Sequence, residues 1–127
     1  MKLENLLPEY AQKLGMGKIV PEADGIVTLR FNDEHLVTLE PSLDGEGFYI
    51  YSVVGSMPEM EEELARELLG SNLFGKETGH ASLGYEPTVG ALLLFQFFHH
   101  ETTDLTAFEK ELEKFLGYLA HWKGRLS

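Results

Sequence analysis

The chain has 127 residues, 43% hydrophobic and 24% charged, with no cysteine and a formal net charge of −11. That length holds one domain with a real core and is short for two ordinary ones. The acidity, with no Lys/Arg cluster to offset it, argues against nucleic acid and anionic lipid as partners, and the missing cysteines exclude disulfides, thiolate metal sites and cysteine nucleophiles.

Leu3, Leu6, Leu7, Tyr10 and Leu14 follow helical spacing, stopped by Gly15 and Gly17. Pro8 fits if Asn5 is the N-cap; otherwise the helix starts near Lys2 and carries Pro8 inside it. Pro21 and Gly25 mark a loop. Ile26–Phe31, His35–Glu40 and Phe48–Val54 read as strands, separated by the turns Asn32-Asp33-Glu34 and Ser42–Gly47. They form an antiparallel meander. Pro58 opens a helix whose apolar stripe is Met60, Leu64 and Leu68, with Ala65 and Leu69 beside it and Gly70 as its stop. The loop Ser71–Gly79 carries Leu73 and Phe74. His80–Tyr85 and Gly90–Phe98 read as a hairpin. The last helix runs from about Thr103 to Trp122, with Leu105, Phe108, Leu112, Phe115, Leu116, Leu119 and Trp122 at three- and four-residue steps. Thr106 with Glu109 has capping-box spacing, and Thr103 or Asp104 can cap one turn earlier.

The order is helix, three strands, helix, two strands, helix. It predicts a single α+β domain over residues 1–127, with helices packed on an antiparallel, twisted sheet. Gly90–Phe98 is apolar on both alternating sets: Ala91, Leu93, Phe95 and Phe97 point one way, and Leu92, Leu94, Gln96 and Phe98 the other. The long last helix covers one face. The other face, with the stripe of the middle helix, exceeds what one copy can bury, and a homodimer is the economical solution. The stripe Leu3, Leu6, Leu7, Tyr10 either packs wholly on the sheet or leaves a groove beside Val27, Leu29 and Phe31 for another chain.

No apolar run has the length of a spanning helix, and Met1-Lys2-Leu3-Glu4-Asn5 is no signal peptide, so no membrane insertion and a cytoplasmic setting are expected. His99-His100-Glu101 is no metal cluster, because neighbours on a strand point to opposite faces. His35, His80 and His121 fall on separate elements, and all five histidines read as exposed or at edges. Glu59–Glu63 reads as a solvated helix face. Acidity keeps an apolar protein soluble or steers a basic partner. No P-loop or Gly-x-Ser-x-Gly elbow occurs. A non-enzymatic binding protein without cofactor is the expectation. The alternative is a small-ligand or sensor domain whose apolar pocket lies between sheet and last helix, lined by Phe48, Tyr49, Tyr51, Phe95 and Phe97.

Two strings carry a family likeness: Leu68-Leu69-Gly70-Ser71-Asn72-Leu73-Phe74-Gly75, and Thr78-Gly79-His80-Ala81-Ser82-Leu83-Gly84-Tyr85-Glu86-Pro87. With Gly25-Ile26-Val27-Thr28-Leu29 before an acidic turn, and a closing helix ending in Trp122, they resemble the class I type III secretion chaperones, the Tir chaperone (CesT/SycE-like) family. The resemblance covers nearly the whole chain. It implies a cytoplasmic bacterial homodimer meeting through the middle helix and nearby strands, here Met60, Leu64, Leu68, Leu92 and Leu94. It also implies a virulence effector whose N-terminal segment is held non-globular and secretion-competent, its apolar side chains seated on Leu3, Leu6, Leu7, Tyr10, Val27, Leu29 and Phe31. The secretion ATPase is admitted as a further partner. Pro8 departs from the usual unbroken first helix.

Overall fold

A computed structural model describes residues 1–126. Helix α1 spans Leu3–Lys13, strands β1 to β3 span Val27–Phe31, His35–Pro41 and Gly47–Ser56, and α2 spans Glu62–Asn72. A short 3-10 turn covers Leu73–Gly75, followed by β4 (Ser82–Glu86), β5 (Ala91–His99) and α3 (Leu105–Leu126). The five strands form one sheet in the order β1-β2-β3-β5-β4, so the fold is α+β with an antiparallel sheet, as expected. The element order matches as well.

The turns explain the register. Glu34 N–H donates to Phe31 O at 3.1 Å, and Asn32 and Asp33 both have positive φ, 54° and 59°. This mirror-image turn matches the twist of the strands it joins, and Asn and Asp tolerate it best after glycine. It sets Leu29 opposite Val37 and Val27 opposite Leu39. Further on, Met57 N–H donates to Gly90 O at 2.6 Å, and a Cβ added at Gly47 would strike the carbonyl oxygen of Phe98. β3 and β5 therefore run antiparallel, and glycine at 47 is what allows their close approach.

The chain divides into two compact units: 1–50 with 97–110, and 51–96 with 111–127. In the first, the core is aromatic. Phe108 at the start of α3 meets Tyr10 edge-on at 5.4 Å, Phe98 at 5.5 Å and Phe48 at 5.9 Å, while Phe48 and Phe98 stack at 5.3 Å. Asp104 accepts the Ala107 N–H at 2.8 Å, so Asp104 caps α3, the second of the two alternatives above. In the second unit, Leu92, Leu94, Leu112, Phe115, Leu119 and Trp122 are buried.

Two expectations need correction, and one open alternative is decided. Helix α1 begins at Leu3 with Lys2 as its N-cap, the second of the alternatives for this helix, so Pro8 lies inside it. The carbonyl of Glu4 loses its helical donor, and this is tolerated because Glu4 and Pro8 both face water. Pro58 does not open α2, which starts at Glu62. Residues 57–58 are tied instead to the β4–β5 hairpin, with Tyr85 Oη donating to Met57 O at 2.5 Å, so Met60 precedes the helix. Gly70 does not stop α2 either, which runs on to Asn72.

Candidate binding surfaces

The first unit holds the residues expected to seat a client chain. Leu3, Leu6, Leu7, Tyr10 and Val27 are all buried, and Leu29 and Phe31 are half-buried. Leu6, Tyr10 and Val27 thus belong to the chain's own core, which withdraws them from direct contact with a guest. The packed alternative for the α1 stripe describes them. Tyr10 shows it chemically: burial, then the Glu109 carboxylate, pushes its phenol above the ordinary value. Leu3 and Leu7 instead form part of the wall of a cavity of about 390 Å3, completed by Pro21, Gly25, Pro41 and Gly47. The same unit exposes apolar side chains that periodicity did not single out: Met16, Val20, Leu36 and Leu43. Leu14, counted in the α1 stripe, is also exposed. β1 ends the sheet, with no strand on its outer side among the described residues.

The second unit holds the residues expected at a dimer contact. Met60, Leu68 and Leu92 come together around a depression of about 210 Å3, with Leu69 and Tyr85 on its rim. Leu64 lies apart, beside Met57, Glu67 and Arg125. Leu94 is 0% exposed and Leu92 only 1%. Leu94 is therefore core, and a second copy cannot touch it; the parity of β5 explains this, because Leu92, Leu94, Gln96 and Phe98 face inward. The outward set in this unit is Leu93 and Phe95, with Val53 on β3. The Phe95 ring lies over Gly84, where an added Cβ would stand 2.9 Å from Phe95 Cε1.

The other edge of the sheet is closed. Asn72, the last residue of α2, donates to Leu83 O at 2.8 Å and accepts the Leu83 N–H at 2.7 Å. One amide thus occupies both outward backbone groups of Leu83 on edge strand β4, a block to strand addition. Ser71 Oγ donates to Glu77 Oε2 at 2.7 Å, and Trp122 Nε1–H donates to Glu77 O at 2.9 Å. The loop after α2 is therefore tied at several points. Sequence reasoning missed these ties, because a loop asparagine and serine look like ordinary turn residues.

The aromatics proposed to line a ligand pocket do not converge. Phe48 is buried in the first unit's core, while Tyr49 and Phe97 pair on the outward face at 5.0 Å. His35 is likewise a correction. At 4% exposure it shares the covered face of β2 with Val37 and Leu39, two and four residues on. Among the described residues no group of three or more His, Asp or Glu is placed to hold a metal ion.

One polar cluster carries a pH prediction. Glu111 Oε1 accepts from Gln96 Nε2 at 2.9 Å and lies 2.7 Å from His80 Nδ1. Burial pushes the Glu111 carboxyl up, but the bonds to His80 and Gln96, with the charges of His80 and Lys114, outweigh it and leave the group below its usual value. A carboxylate held low in the folded state stabilises it above the unfolded pKa, and loses that effect as pH falls through the folded one. Stability should fall as pH drops below about 4.5. Glu111→Gln should flatten that fall, as read from urea midpoints across the acid range.

The Tir chaperone protein (CesT) family model matches residues 5–123, and the chain belongs to that family. The Tir chaperone of Escherichia coli O157:H7 is 30% identical over 110 residues, covering 87% of this chain and 70% of that protein. A chain of the crystal structure of the ExsC–ExsE complex superposes with a TM-score of 0.79 at 22% identity, covering 97% of this chain and 95% of that one. A chain of the HopA1–SchA chaperone–effector complex gives 0.80 at 16%, with 95% and 92% covered. At those identities the structures establish the fold. Family membership makes the protein a non-enzymatic type III secretion chaperone, which binds the N-terminal segment of an effector and keeps it soluble.

Proposed function

We propose that the effector segment binds in extended form along the first unit, with its backbone on the open edge of β1. Its apolar side chains seat on Leu29 and Phe31 and in the cavity walled by Leu3 and Leu7. The observation that carries this is the contrast between the two sheet edges: β4 is capped at Leu83 by Asn72, whereas β1 has no strand beyond it among the described residues. An extended chain recognised by strand addition takes affinity from backbone bonds and selectivity from alternate side chains. Met16, Val20 and Leu43 are exposed in the same unit and add apolar surface, and a long guest can offset its ordering entropy by burying such area at ~25 cal/mol per Å2.

The working form in this proposal is a homodimer in the bacterial cytoplasm, meeting through the second unit. Met60 and Leu64 supply the contact, with buried Leu68 lining the depression beside Met60, and Leu93, Phe95 and Val53 add the outward sheet face. Support comes from the family and from the apolar side chains that one copy leaves uncovered there.

The test uses a panel of N-terminal segments from the host's secreted effectors, titrated by fluorescence anisotropy. The paired changes Leu29→Asp and Phe31→Asp should weaken binding at least about tenfold, the scale of one or two lost apolar anchors. Sedimentation should show the same oligomer as the parent. Undiminished binding would sink the β1 site. Leu64→Asp should instead shift the protein toward monomer.

A further inference from the structure

Phe74 breaks two rules at once. It is 92% exposed, and its backbone is left-handed, φ 58° and ψ 21°. A bulky residue there is strained, and such strain persists only where the surroundings impose it. They do so here on both sides. Asn72 is fixed to Leu83, and Glu77 N–H donates to Ser71 O at 3.1 Å, while Trp122 holds the Glu77 carbonyl. The loop thus presents one rigid aromatic ring to solvent, an arrangement that loses little entropy on docking.

The same unit carries a matching hollow. The depression of about 210 Å3 framed by Met60, Leu69, Tyr85 and Leu92 is smaller than a typical small-molecule site, ~300–1,000 Å3, and suits a single large side chain. Met60 lies just before α2 and Phe74 just after it. With 11 residues, α2 separates them by about 16 Å. A two-fold axis crossing α2 at right angles makes its two copies antiparallel. The end that bears Phe74 then meets the end that bears Met60 in the other subunit. Charge agrees. Lys76 follows the ring and Glu59 and Glu61 precede α2, and none of the three has an ion-pair partner among the described residues. Antiparallel helices bring that lysine to those carboxylates. Leu69, 71% exposed, is covered on the way.

We infer that Phe74 is a knob that enters the Met60–Leu69–Tyr85 hollow of the partner subunit, twice per dimer, and that the second copy of this chain is its occupant. This rests on the dimer reading above and assigns its anchor.

The absence of cysteine makes the test clean. One tagged copy carries Phe74→Cys and a differently tagged copy carries Met60→Cys. After mixing and treatment with a short bifunctional maleimide, a covalent heterodimer is expected, and neither variant alone should cross-link. In parallel, Phe74→Asn keeps a residue that tolerates the left-handed backbone. It should raise the dimer dissociation constant at least about 100-fold, two anchors being lost, with the circular dichroism spectrum unchanged. A wild-type chain that sediments as a monomer at every concentration overturns the dimer reading and this inference together. A dimer that forms no 60-to-74 link, or that Phe74→Asn leaves intact, overturns the inference alone. So does a loss of effector-segment binding with the dimer unchanged, since the ring would then serve the guest.

Discussion

Replacing Phe108 by alanine is expected to remove about 3–5 kcal/mol of unfolding free energy, the usual loss for a buried aromatic. Urea titration followed by circular dichroism would measure it. The ring is 0% exposed and stands within 6 Å of Tyr10, Phe48 and Phe98. Those partners come from α1, β3 and β5, so one deletion loosens three elements of the first unit. A second readout follows from Tyr10. Burial is the main reason its phenol titrates high, and Phe108 supplies part of that burial. In Phe108→Ala the Tyr10 titration should move down toward its ordinary value of 10.0. A loss below about 1 kcal/mol, with Tyr10 unmoved, would show that the cluster closes over the gap without cost.

The next largest effect on folding stability is expected at Asn72, and it is chemical rather than steric. Asn72→Asp preserves the shape almost atom for atom. Its carboxylate still accepts from Leu83 N–H, but it turns an acceptor toward Leu83 O, where Asn72 has a donor at 2.8 Å. The cost should be about 2 kcal/mol or more, from a lost bond and two facing acceptors. Asn72→Ala should cost a similar amount, leaving both Leu83 groups without their partner. Both changes also open the edge of β4, so a rise in light scattering at high protein concentration is expected. If aspartate proves as stable as asparagine, the amide is not what closes that edge.

The elements that stood out in the sequence did so because one signal dominated each. The seven apolar residues of α3 recur without interruption, and the helix forms with that face inward; it runs on to Leu126, four residues beyond Trp122. The parity of β5 gave both its faces correctly. Where two signals competed, periodicity was not enough. Proline favours the first turn of a helix, yet Pro58 is held to the hairpin through its neighbour Met57, whose N–H donates to Gly90 O and whose carbonyl accepts from Tyr85 Oη, partners roughly 30 residues away in sequence. The α1 stripe was equally compatible with a packed face and an open groove, since spacing shows which residues share a face but not what lies against it. Leu94 was placed at a contact between copies because an apolar strand does not declare which side its own helix covers. Phe74 was visible only as a large residue in a loop. Its strain and exposure are properties of backbone angles, and no pattern of letters encodes them.

The chain contains one tryptophan, and its indole N–H is bonded to the carbonyl of Glu77 while the His121 ring stands edge-on 5.3 Å away. Its emission is therefore a built-in gauge of the segment that displays Phe74. Excitation at the red edge, where tyrosine is silent, would follow that segment without any label. Association of subunits and the arrival of an effector would register as separate optical events, one through the indole and the other through a dye on the guest.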